Sequence, residues 1–278
     1  MQADRDESML YVAIAAGLEP ARPAGQREVA LRLAVLERVR RSALAHRDYL
    51  TVRREDEAPQ RSAEGATSRI LRADAGMRVA IVHLAHGVPL PWPPDATAQE
   101  LLVLDGALAS DGMVPVTAGG HAYSVRLRNE PGAPLHAVGE TTVYVRQCLV
   151  DPGSLPALEA RWWSLATRPV AWIDPGRQRW LRASEGVEVL PLRGDSEVVS
   201  MLVRFAPGAA VADHHHALDE DCLVLGGEMF LGDILLRSGD YQLAPAGGSH
   251  FGETSDVGVL FFFHGALDPV LRGERTVS

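Results

Sequence analysis

The sequence repeats itself at a constant offset of 121 positions, and this repeat constrains the fold more than any other feature. Without a gap, residues 63–87 align with residues 184–208, and residues 101–106 align with residues 222–227. Self-similarity over such a length indicates that one folding unit occurs twice. Both copies consist of short apolar stretches broken by glycine and proline, a pattern typical of an antiparallel barrel or jelly roll. The repeat therefore predicts two similar β domains in tandem.

Within each copy, apolar residues recur at every second position, as in a strand with one face toward a core. The aligned positions that we expect to face inward are Ala80, Val82 and Leu84 in the first copy and Met201, Val203 and Phe205 in the second. His83 and Arg204 align with each other and are expected to face outward, because successive side chains of a strand lie on opposite faces. Met201, Val203 and Phe205 would then form the apolar wall of a pocket in the second domain.

The second copy also contains a series of potential metal ligands. Gly208 is followed by His214, His216, Glu220 and Gly227, and Gly239 is followed by Pro245, Gly247 and His250. Since alternate side chains of an extended strand share a face, His214 and His216 would aim at one point while His215 points away. Glu220 matches their parity if the strand resumes after the intervening turn. His250 would return after a hairpin whose glycines allow a tight backbone.

Three neutral imidazoles and one carboxylate form a ligand set suited to a divalent transition metal. Fe(II), Mn, Ni, Cu and Zn all accept such ligands, and an octahedral metal would keep two positions open for water or substrate. Cys222 lies two residues after Glu220 and is therefore expected on the same strand face, in the pocket beside the metal. The alternatives are an exposed histidine run and, for Cys222, a small buried apolar side chain.

The two spacings resemble the two motifs of the cupin superfamily, G(X)5HXH(X)3-4E(X)6G and G(X)5PXG(X)2H(X)3N, with Thr254 in place of the final Asn. Two longer phrases, EDCLVLGGEMFLGD and SGDYQLAPAGGSH, resemble the ChrR-like cupins, which occur as C-terminal domains of zinc-dependent anti-sigma factors and as free-standing cupins. The resemblance covers residues 183–267 and implies a small β-barrel with a metal inside one end. Together with the repeat, it predicts an all-β fold of two tandem cupin barrels, of the double-stranded β-helix or jelly-roll type, after a short helical N-terminal segment.

The expected division of the chain follows from the repeat and from breaks in composition. It comprises a helical N-terminal segment (1–50), a degenerate barrel without a metal site (51–150), a linker helix (151–170) and a metal-binding barrel (171–278). The spacing of apolar residues predicts N-terminal helices over 6–16 and 26–45, and a short linker helix is expected over 155–166. The linker helix carries Trp162 and Trp163, which would pack against a barrel or anchor a subunit interface. We expect a homodimer.

The offset of 121 places no complete ligand set in the first barrel. Pro93, Asp95 and Gln99 align with His214, His216 and Glu220, and His136 is a candidate match for His250. Because a proline side chain cannot coordinate a metal, we predict that the first barrel is a scaffold and that each chain binds one metal, in the second barrel. The alternative is a site rebuilt from His86, Asp95, Glu100, His121 or His136.

Composition narrows the choice of partners. The net charge is −9 at pH 7, which disfavours binding to a nucleic-acid backbone. All 27 basic residues are arginine, which excludes a Walker-type phosphate loop and lysine Schiff-base chemistry. No apolar run approaches the roughly 18–20 residues of a membrane span, and Cys148 and Cys222 are too few for a disulfide framework. We expect a cytoplasmic protein whose partner is a small molecule or another protein.

Two functions from different classes fit these features. The first is a cupin dioxygenase that uses one divalent transition metal (Fe, Mn, Ni or Zn) and acts on a small oxygenated organic molecule. The second is a metal-bearing sensor whose N-terminal helices bind an extracytoplasmic-function sigma factor, as the ChrR-like resemblance implies. The zinc signature of those anti-sigma factors, one His followed by a CxxC pair, is missing, since the N-terminal segment has only His46 and no Cys. A structural metal barrel without turnover is a third hypothesis.

Overall fold

The computed structural model of the chain describes residues 25–56, 58–63, 65–110, 116–117, 121–128, 134–165 and 172–267. The helix predicted over 6–16 lies outside the described residues. The chain divides into two units, residues 1–47 and residues 48–278. No helix among the described residues is long and apolar enough to cross a membrane.

The described part of the first unit is a helix, α1 (Gly25–Ala45), which confirms the helix predicted over 26–45. None of its residues is buried. Val29, Leu33 and Leu36, which recur at helical spacing, have exposed fractions between 54% and 62%. Apolar side chains on one stripe of a helix are typical of an element that packs against another surface.

The second unit consists mainly of β-strands. Their bounds are β1 Leu50–Val52, β2 Gln60–Ala63, β3 Ala66–Ala73, β4 Met77–Leu84, β5 Ala98–Asp105, β6 Ala107–Ala109, β7 Val116–Thr117, β8 Tyr123–Leu127, β9 His136–Ala137, β10 Thr141–Cys148, β11 Leu181–Ser184, β12 Val187–Gly194, β13 Val198–Phe205, β14 Ala209–Val211, β15 His214–His215, β16 Glu220–Leu231, β17 Ile234–Arg237, β18 Tyr241–Ala244, β19 Ser249–His250, β20 Glu253–Ser255 and β21 Val259–Ala266. A helix, α2 (Ala157–Ser164), lies between β10 and β11 and corresponds to the predicted linker helix.

The main sheets of the two sequence repeats have the same strand order. We call β2 to β10 the first repeat and β11 to β21 the second repeat. The sheet of the first repeat runs β2-β3-β4-β10-β5-β8, and that of the second runs β11-β12-β13-β21-β16-β18, extended by β1. Each repeat also has a smaller group of paired strands, β7-β6-β9 in the first and β17-β16-β20-β14 in the second. The duplication seen in the sequence is therefore a duplication of strand pairing.

The repeats share their strand irregularities as well. Leu71 in β3 and Leu192 in β12, 121 positions apart, are the residues at which the register of the adjacent pair shifts. Leu104 in β5 and Leu225 in β16 form a second matched pair of register shifts. Since a bulge bends and twists a strand locally, matched bulges give the two sheets the same curvature.

One matched pair of glycines is required by close backbone approach. Gly106 and Gly227 have φ angles of 76° and 77°. A Cβ atom on Gly106 would lie 2.2 Å from the carbonyl oxygen of Glu140, and one on Gly227 would lie 2.1 Å from that of Gly258. A side chain at either position would thus combine a left-handed backbone with a steric clash, which only glycine avoids.

Three apolar clusters fill the second unit. One lies within the first repeat, one within the second, and the third combines residues of both repeats with α2. In β13, Met201 and Val203 belong to the cluster of the second repeat, whereas Leu202 belongs to the shared cluster. His83 and Arg204 are exposed, as the strand alternation predicted. Both faces of β13 are therefore buried over most of its length, one inside its repeat and one against the other repeat.

The two tryptophans of α2 lie in the shared cluster. Trp162 and Trp163 are 0% and 2% exposed, and their ring centroids are 4.6 Å apart in an edge-on arrangement. The hypothesis that this pair anchors a subunit interface is wrong, because both rings are already buried inside the chain. The packing alternative describes them correctly.

A group of buried charges lies between the repeats. Arg146 of β10 is 1% exposed and donates hydrogen bonds to Asp221 of β16 and Glu159 of α2. Glu159 is also 3.1 Å from Nε2 of His264 in β21. Burial alone would raise the pKa of Glu159, but Arg146 and His264 outweigh it and hold that pKa well below its usual value. Buried charges are tolerated only when they are paired, so these contacts fix how the two repeats meet.

The strand β1 precedes the first repeat in sequence but belongs to the sheet of the second. Leu50 pairs with Leu243, and Val52 pairs with Tyr241. The division expected from sequence began the first barrel at residue 51, whereas this segment covers the free edge of β18. An unpaired strand edge presents N–H and C=O groups that a passing segment can satisfy.

Candidate metal centre

The candidate ligands meet where two short strands of the second repeat pair. His214 in β15 lies directly opposite His250 in β19. Directly opposed residues of an antiparallel pair have adjacent side chains. The backbone N–H of His216 donates to the carbonyl of Gly248 at 3.1 Å, which holds the next residue beside the same hairpin. Glu220 is the first residue of β16.

Distances between the donor atoms describe a compact group. The ligand atoms of His214, His216 and Glu220 all lie within 4.8 Å of one another. Nε2 of His216 and Nε2 of His250 lie 3.5 Å and 3.6 Å from the same carboxylate oxygen of Glu220. Donor atoms that share a metal at about 2.1 Å are roughly 3 Å apart. The structure thus groups His214, His216 and Glu220, with His250 beside the Glu220 carboxylate, at separations somewhat wider than those of an occupied metal site.

Hydrogen bonds orient the rings of the two histidines that precede His216. Nδ1 of His214 lies 3.0 Å from the carbonyl oxygen of Ala212. With the proton on Nδ1, the lone pair of Nε2 remains available to a metal. Nδ1 of His215 lies 2.7 Å from the hydroxyl of Ser249, and its ring is not part of the metal-ligand group.

His216 provides the test of whether a metal fits. Burial lowers its pKa to about 4, with a further contribution from the neighbouring His214, so the ring is neutral at pH 7. Its Nε2 atom is buried and has no hydrogen-bond partner among the residues that the structure describes. A buried polar atom without a partner is costly, and a metal ion would satisfy it. Three imidazoles and a carboxylate suit a divalent transition metal.

The neighbours of Glu220 restrict its position. A Cβ atom on Gly265, in the adjacent β21, would lie 2.7 Å from Cγ of Glu220. The next residue, Asp221, points to the opposite face of β16 and is bound there by Tyr241 and Arg146. Tyr241 and Arg146 hold the opposite face of β16 through Asp221, and Gly265 has no side chain to occupy the space beside Glu220. The position of the Glu220 carboxylate is therefore restricted.

A cavity of about 250 Å³ adjoins the candidate ligands. His214 and Glu220 contribute to its lining, and Met201, Val203 and Phe205 contribute part of a mainly apolar wall. Apolar walls with a few convergent polar groups are typical of small-molecule sites. The three apolar residues named from the strand alternation therefore line the cavity that contains candidate ligands.

Cys222 does not line this cavity but packs in the apolar cluster that forms its wall. Burial raises the pKa of its thiol well above the usual value, and the carboxylates of Glu253 and Glu220 raise it further. The thiol is therefore protonated at neutral pH and behaves as a small apolar side chain. Sequence parity correctly gives the strand face of Cys222, but not the depth of the cavity.

Two residues near the centre were missed by the sequence reasoning. Glu253 of β20 lines the cavity and is 8% exposed. Its only sequence signal is an acidic residue three positions after His250. The ring of Tyr49 lies edge-on to that of His250 at 5.7 Å. The Tyr49 hydroxyl donates a 2.7 Å hydrogen bond to the carbonyl of Ser249, 200 positions later in the chain. No local sequence pattern signals a contact over that separation.

The corresponding region of the first repeat has no such group among the described residues. Gln99 is buried and donates to the carbonyl of Pro91. Asp95 is half exposed and lies 3.7 Å from Arg78. Glu100, named as an alternative ligand, faces the contact between repeats and accepts a hydrogen bond from the Tyr123 hydroxyl. These contacts support the interpretation of the first repeat as a scaffold.

The proposed match of His136 with His250 is wrong. His136 pairs with Ala109, whereas Thr254 pairs with Phe230, which lies 121 positions after Ala109. Strand pairing thus makes Thr254 the counterpart of His136. The sequence match failed because it counted from Pro131, and the loops before this strand differ in length between the repeats.

Residues 169–268 match the family model of the ChrR Cupin-like domain. This part of the chain is therefore a ChrR-like cupin domain. Its ligand group and cavity lie within the matched cupin residues. No curated protein matches the sequence.

Several solved structures have a fold similar to that of this chain. A proposed dioxygenase from Nostoc punctiforme has a TM-score of 0.59 and 15% identity, covering 79% of this chain and 86% of that one. A Cupin 2 conserved barrel domain protein from Leptotrichia buccalis has a TM-score of 0.51 and 10% identity, covering 78% and 96%. A variant of Bacillus subtilis oxalate decarboxylase has a TM-score of 0.51 and 14% identity, covering 79% and 77%. At these identities the likeness concerns the fold alone.

Proposed function

We propose that the protein is a metal-dependent, dioxygenase-like cupin enzyme that acts on a small oxygenated organic molecule. One divalent transition metal would be held by His214, His216, Glu220 and His250. The observation that carries the proposal is the convergence of these side chains beside an apolar cavity. Fe, Mn, Ni and Zn all suit the ligand set.

The metal, when bound, would supply Lewis acidity and, in a redox-active form, electrons for chemistry with O2. The residues of the chain bind and orient. The neutral imidazole of His216 contributes a lone pair, and the carboxylate of Glu220 contributes a negative charge that can also accept a substrate proton. The apolar wall excludes water, which strengthens the electrostatic interactions inside the cavity. Tyr49 supports the β19 backbone next to His250 through Ser249.

We also propose that the chain is a bicupin, in which each repeat forms one cupin barrel and the first serves as a scaffold. The shared strand order and the matched bulges support this. The structures from Nostoc punctiforme and Leptotrichia buccalis match more than three quarters of the chain, which exceeds either repeat alone. A scaffold barrel without ligands predicts one metal per chain.

Metal analysis of untagged protein tests the ligand assignment. We expect about one equivalent per chain in the wild type and less than about a tenth of that in His216→Ala. His215→Ala is the matched control, because His215 is adjacent in sequence but bonds Ser249 outside the ligand group. Full occupancy in His216→Ala would contradict the ligand assignment, and two equivalents in the wild type would contradict the scaffold role of the first repeat.

Oxygen uptake by the Fe(II)-loaded protein tests the reaction class. Neutral β-diketones, diols and thiols are the substrates to compare, with His216→Ala as the negative control. Uptake that requires both a substrate and His216 supports a dioxygenase-like enzyme. Full metal occupancy without uptake on any of the three classes would favour a sensor or a structural barrel.

A regulatory function is the second candidate, and the exposed apolar stripe of α1 favours it. Val29, Leu33 and Leu36 are more than half exposed in this helix, and helices of this kind bind protein partners through such stripes. The partner expected from the ChrR-like relationship is an extracytoplasmic-function sigma factor. Co-purification should be lost in Leu33→Glu and retained in Arg32→Glu, a change of the adjacent polar position. Failure of the wild type to retain any such sigma factor would remove this candidate.

A further inference from the structure

One arginine of the first repeat contacts the residues on both sides of the candidate ligand Glu220. Nη2 of Arg72, in β3, donates a 2.9 Å hydrogen bond to Oδ2 of Asp219, and its Nη1 lies 3.9 Å from Oδ1 of Asp221. Arg72 and Asp219 line a separate cavity of about 470 Å³ between the repeats, whereas Glu220 lines the metal cavity. Arg72 thus holds the segment that carries Glu220 from the side away from the candidate metal centre.

The local structure of the first repeat restricts the Arg72 guanidinium. The register of β3 against β4 shifts directly before Arg72, and such a bulge re-aims the side chains beside it. Its Nε donates to Oδ2 of Asp74 at 2.7 Å, while Oδ1 of Asp74 accepts hydrogen bonds from the backbone of Gly76 and Met77. The arginine is therefore bound to the turn between β3 and β4, and only 13% of its side chain is exposed.

Asp219 also binds the hairpin that leads to His250. Its Oδ1 accepts a 3.0 Å hydrogen bond from the backbone N–H of Ala246, in the turn between β18 and β19. The next residue, Gly247, donates from its backbone N–H to the carbonyl of His216 at 2.8 Å. One carboxylate therefore joins the start of β16 to the hairpin before β19, and both of these segments carry candidate ligands.

The sequence repeat connects this contact with the metal ligands. At the offset of 121, Asp219 and Glu220 align with Ala98 and Gln99. An alanine side chain cannot accept a hydrogen bond, and a glutamine side chain lacks the charge of the carboxylate ligand. The acceptor for the arginine and the ligand next to it thus occur together in the second repeat and are replaced together in the first. This association favours a role in the metal centre over a role in holding the repeats together.

We propose that Arg72 is a positioning residue for the metal centre, which acts through Asp219 to hold Glu220 and His250 in place as ligands. This inference rests on the proposed metal ligands. Arginine has no acceptor atom and so does not coordinate the metal itself. A hydrogen bond between charged groups is stronger than one between neutral groups, which suits this contact to hold two backbone segments together. The first repeat then does more than support the second, because it sets the geometry of the site there.

Cobalt(II) titration of metal-free protein tests the proposal, with visible absorption and a competing chelator as the readout. Arg72→Met should weaken cobalt(II) binding about tenfold, as the loss of a residue behind a metal ligand does. The absorption of the bound ion should also shift, because it depends on the arrangement of the ligands. Asp219→Ala removes both contacts and should weaken binding at least as much. The double variant should match Asp219→Ala within about twofold, because residues that act through one contact are not additive.

Arg53→Met is the matched control. Arg53 donates a hydrogen bond of the same 2.9 Å length to Asp240, directly before β18. The variant therefore loses an arginine–aspartate contact that does not involve residues 216–220 or 245–250. Its cobalt(II) affinity should stay within about twofold of the wild type. A loss as large as that in Arg72→Met would overturn the proposal, because the effect would then not depend on contact with the ligand segments.

Each variant is first shown to be folded by circular dichroism, and its urea midpoint is measured without metal. Unchanged cobalt(II) affinity in folded Arg72→Met overturns the proposal even if the midpoint falls, since a merely structural contact gives that result, and the metal centre then stands. If Arg72→Met does not fold, Asp219→Ala decides in the same way. Additive losses in the double variant overturn the action through Asp219. Absence of cobalt(II) binding by the wild type overturns the metal centre and this inference together.

Discussion

In the proposed metal centre, the single residue His216 would link the folding of the chain to metal binding. Its ring is neutral because burial lowers its pKa to about 4 from an ordinary value of 6.5. Metal binding requires the same neutral form. Burial thus keeps the His216 ring in the neutral form that a metal requires before any metal binds. Protonation of this ring at low pH should disturb the fold.

The metal-free protein should accordingly lose stability as the pH falls from about 6.5 to about 4. In that window the unfolded state binds a proton at His216 and the folded state does not, so lower pH favours unfolding. Above pH 6.5 this contribution is fully present. Denaturation of metal-free protein across this range should show a shallower decline in His216→Gln than in the wild type. The control His215→Gln should retain the wild-type slope, and equal slopes in all three proteins would contradict the burial effect.

Residues near the candidate centre differ in how far sequence alone could predict them. His214 and His216 could be placed together because strand parity is a local property that spacing reveals. Tyr49 could not, because its position depends on the pairing of the adjacent Leu50 with Leu243, which is distant in sequence. Glu253 carries a carboxylate, but strand parity could not predict which way it faces. The backbone turns at Gly252, where φ is 63°, so the alternation of faces counted from His250 does not continue to Glu253.

Among the strands, the matched glycines Gly106, directly after β5, and Gly227, within β16, most restrict the backbone geometry. Gly227 must allow Gly258 to approach within a distance that no side chain permits. Strand alternation and turn glycines are visible in the sequence, which is why two similar β domains in tandem could be predicted. The bulges were not, since Leu104 and Leu225 look like ordinary strand residues and reveal their role only through register.

Gly227→Ala should destabilise the protein by roughly 2–4 kcal/mol, since it combines a left-handed backbone with a clash. Gly208→Ala is the matched control. Gly208 has a φ of 80°, but a Cβ atom added there would meet no other atom within 4 Å, so only the backbone cost of about 1 kcal/mol applies. Urea denaturation measures both changes. Equal losses in the two variants would show that the close approach at Gly227 relaxes without cost.

Across the molecule, the buried charges between the repeats determine how the two repeats are positioned against each other, whereas apolar burial supplies most of the energy of that contact. Arg146 faces Asp221, Glu100 and Glu159 at once. Apolar residues of the shared cluster supply the burial, but they accept many relative positions. The sequence could not predict this group, because its members come from distant elements and each looks like an ordinary charged surface residue.

Arg146→Met should therefore destabilise the protein by roughly 3–5 kcal/mol, because it leaves buried carboxylates without a cation. The control is Arg161→Met, which breaks solvent-exposed pairs with Asp195 and Glu197 and should leave the stability nearly unchanged. Thermal or urea denaturation compares the two. Similar small losses in both variants would mean that water reaches the carboxylates near Arg146.

The placement of β1 has a consequence for the order in which the chain is made. Leu50 pairs with Leu243, so the strand leaves the ribosome 193 residues before its partner exists. At about 5–20 residues per second, that interval lasts on the order of 10–40 s. The first repeat can complete its own sheet during this time, but the sheet of the second cannot close until translation is almost finished. With only three residues, β1 is a short strand, and charged arginines follow it. Both features limit its mispairing with other nascent chains before β18 is synthesised.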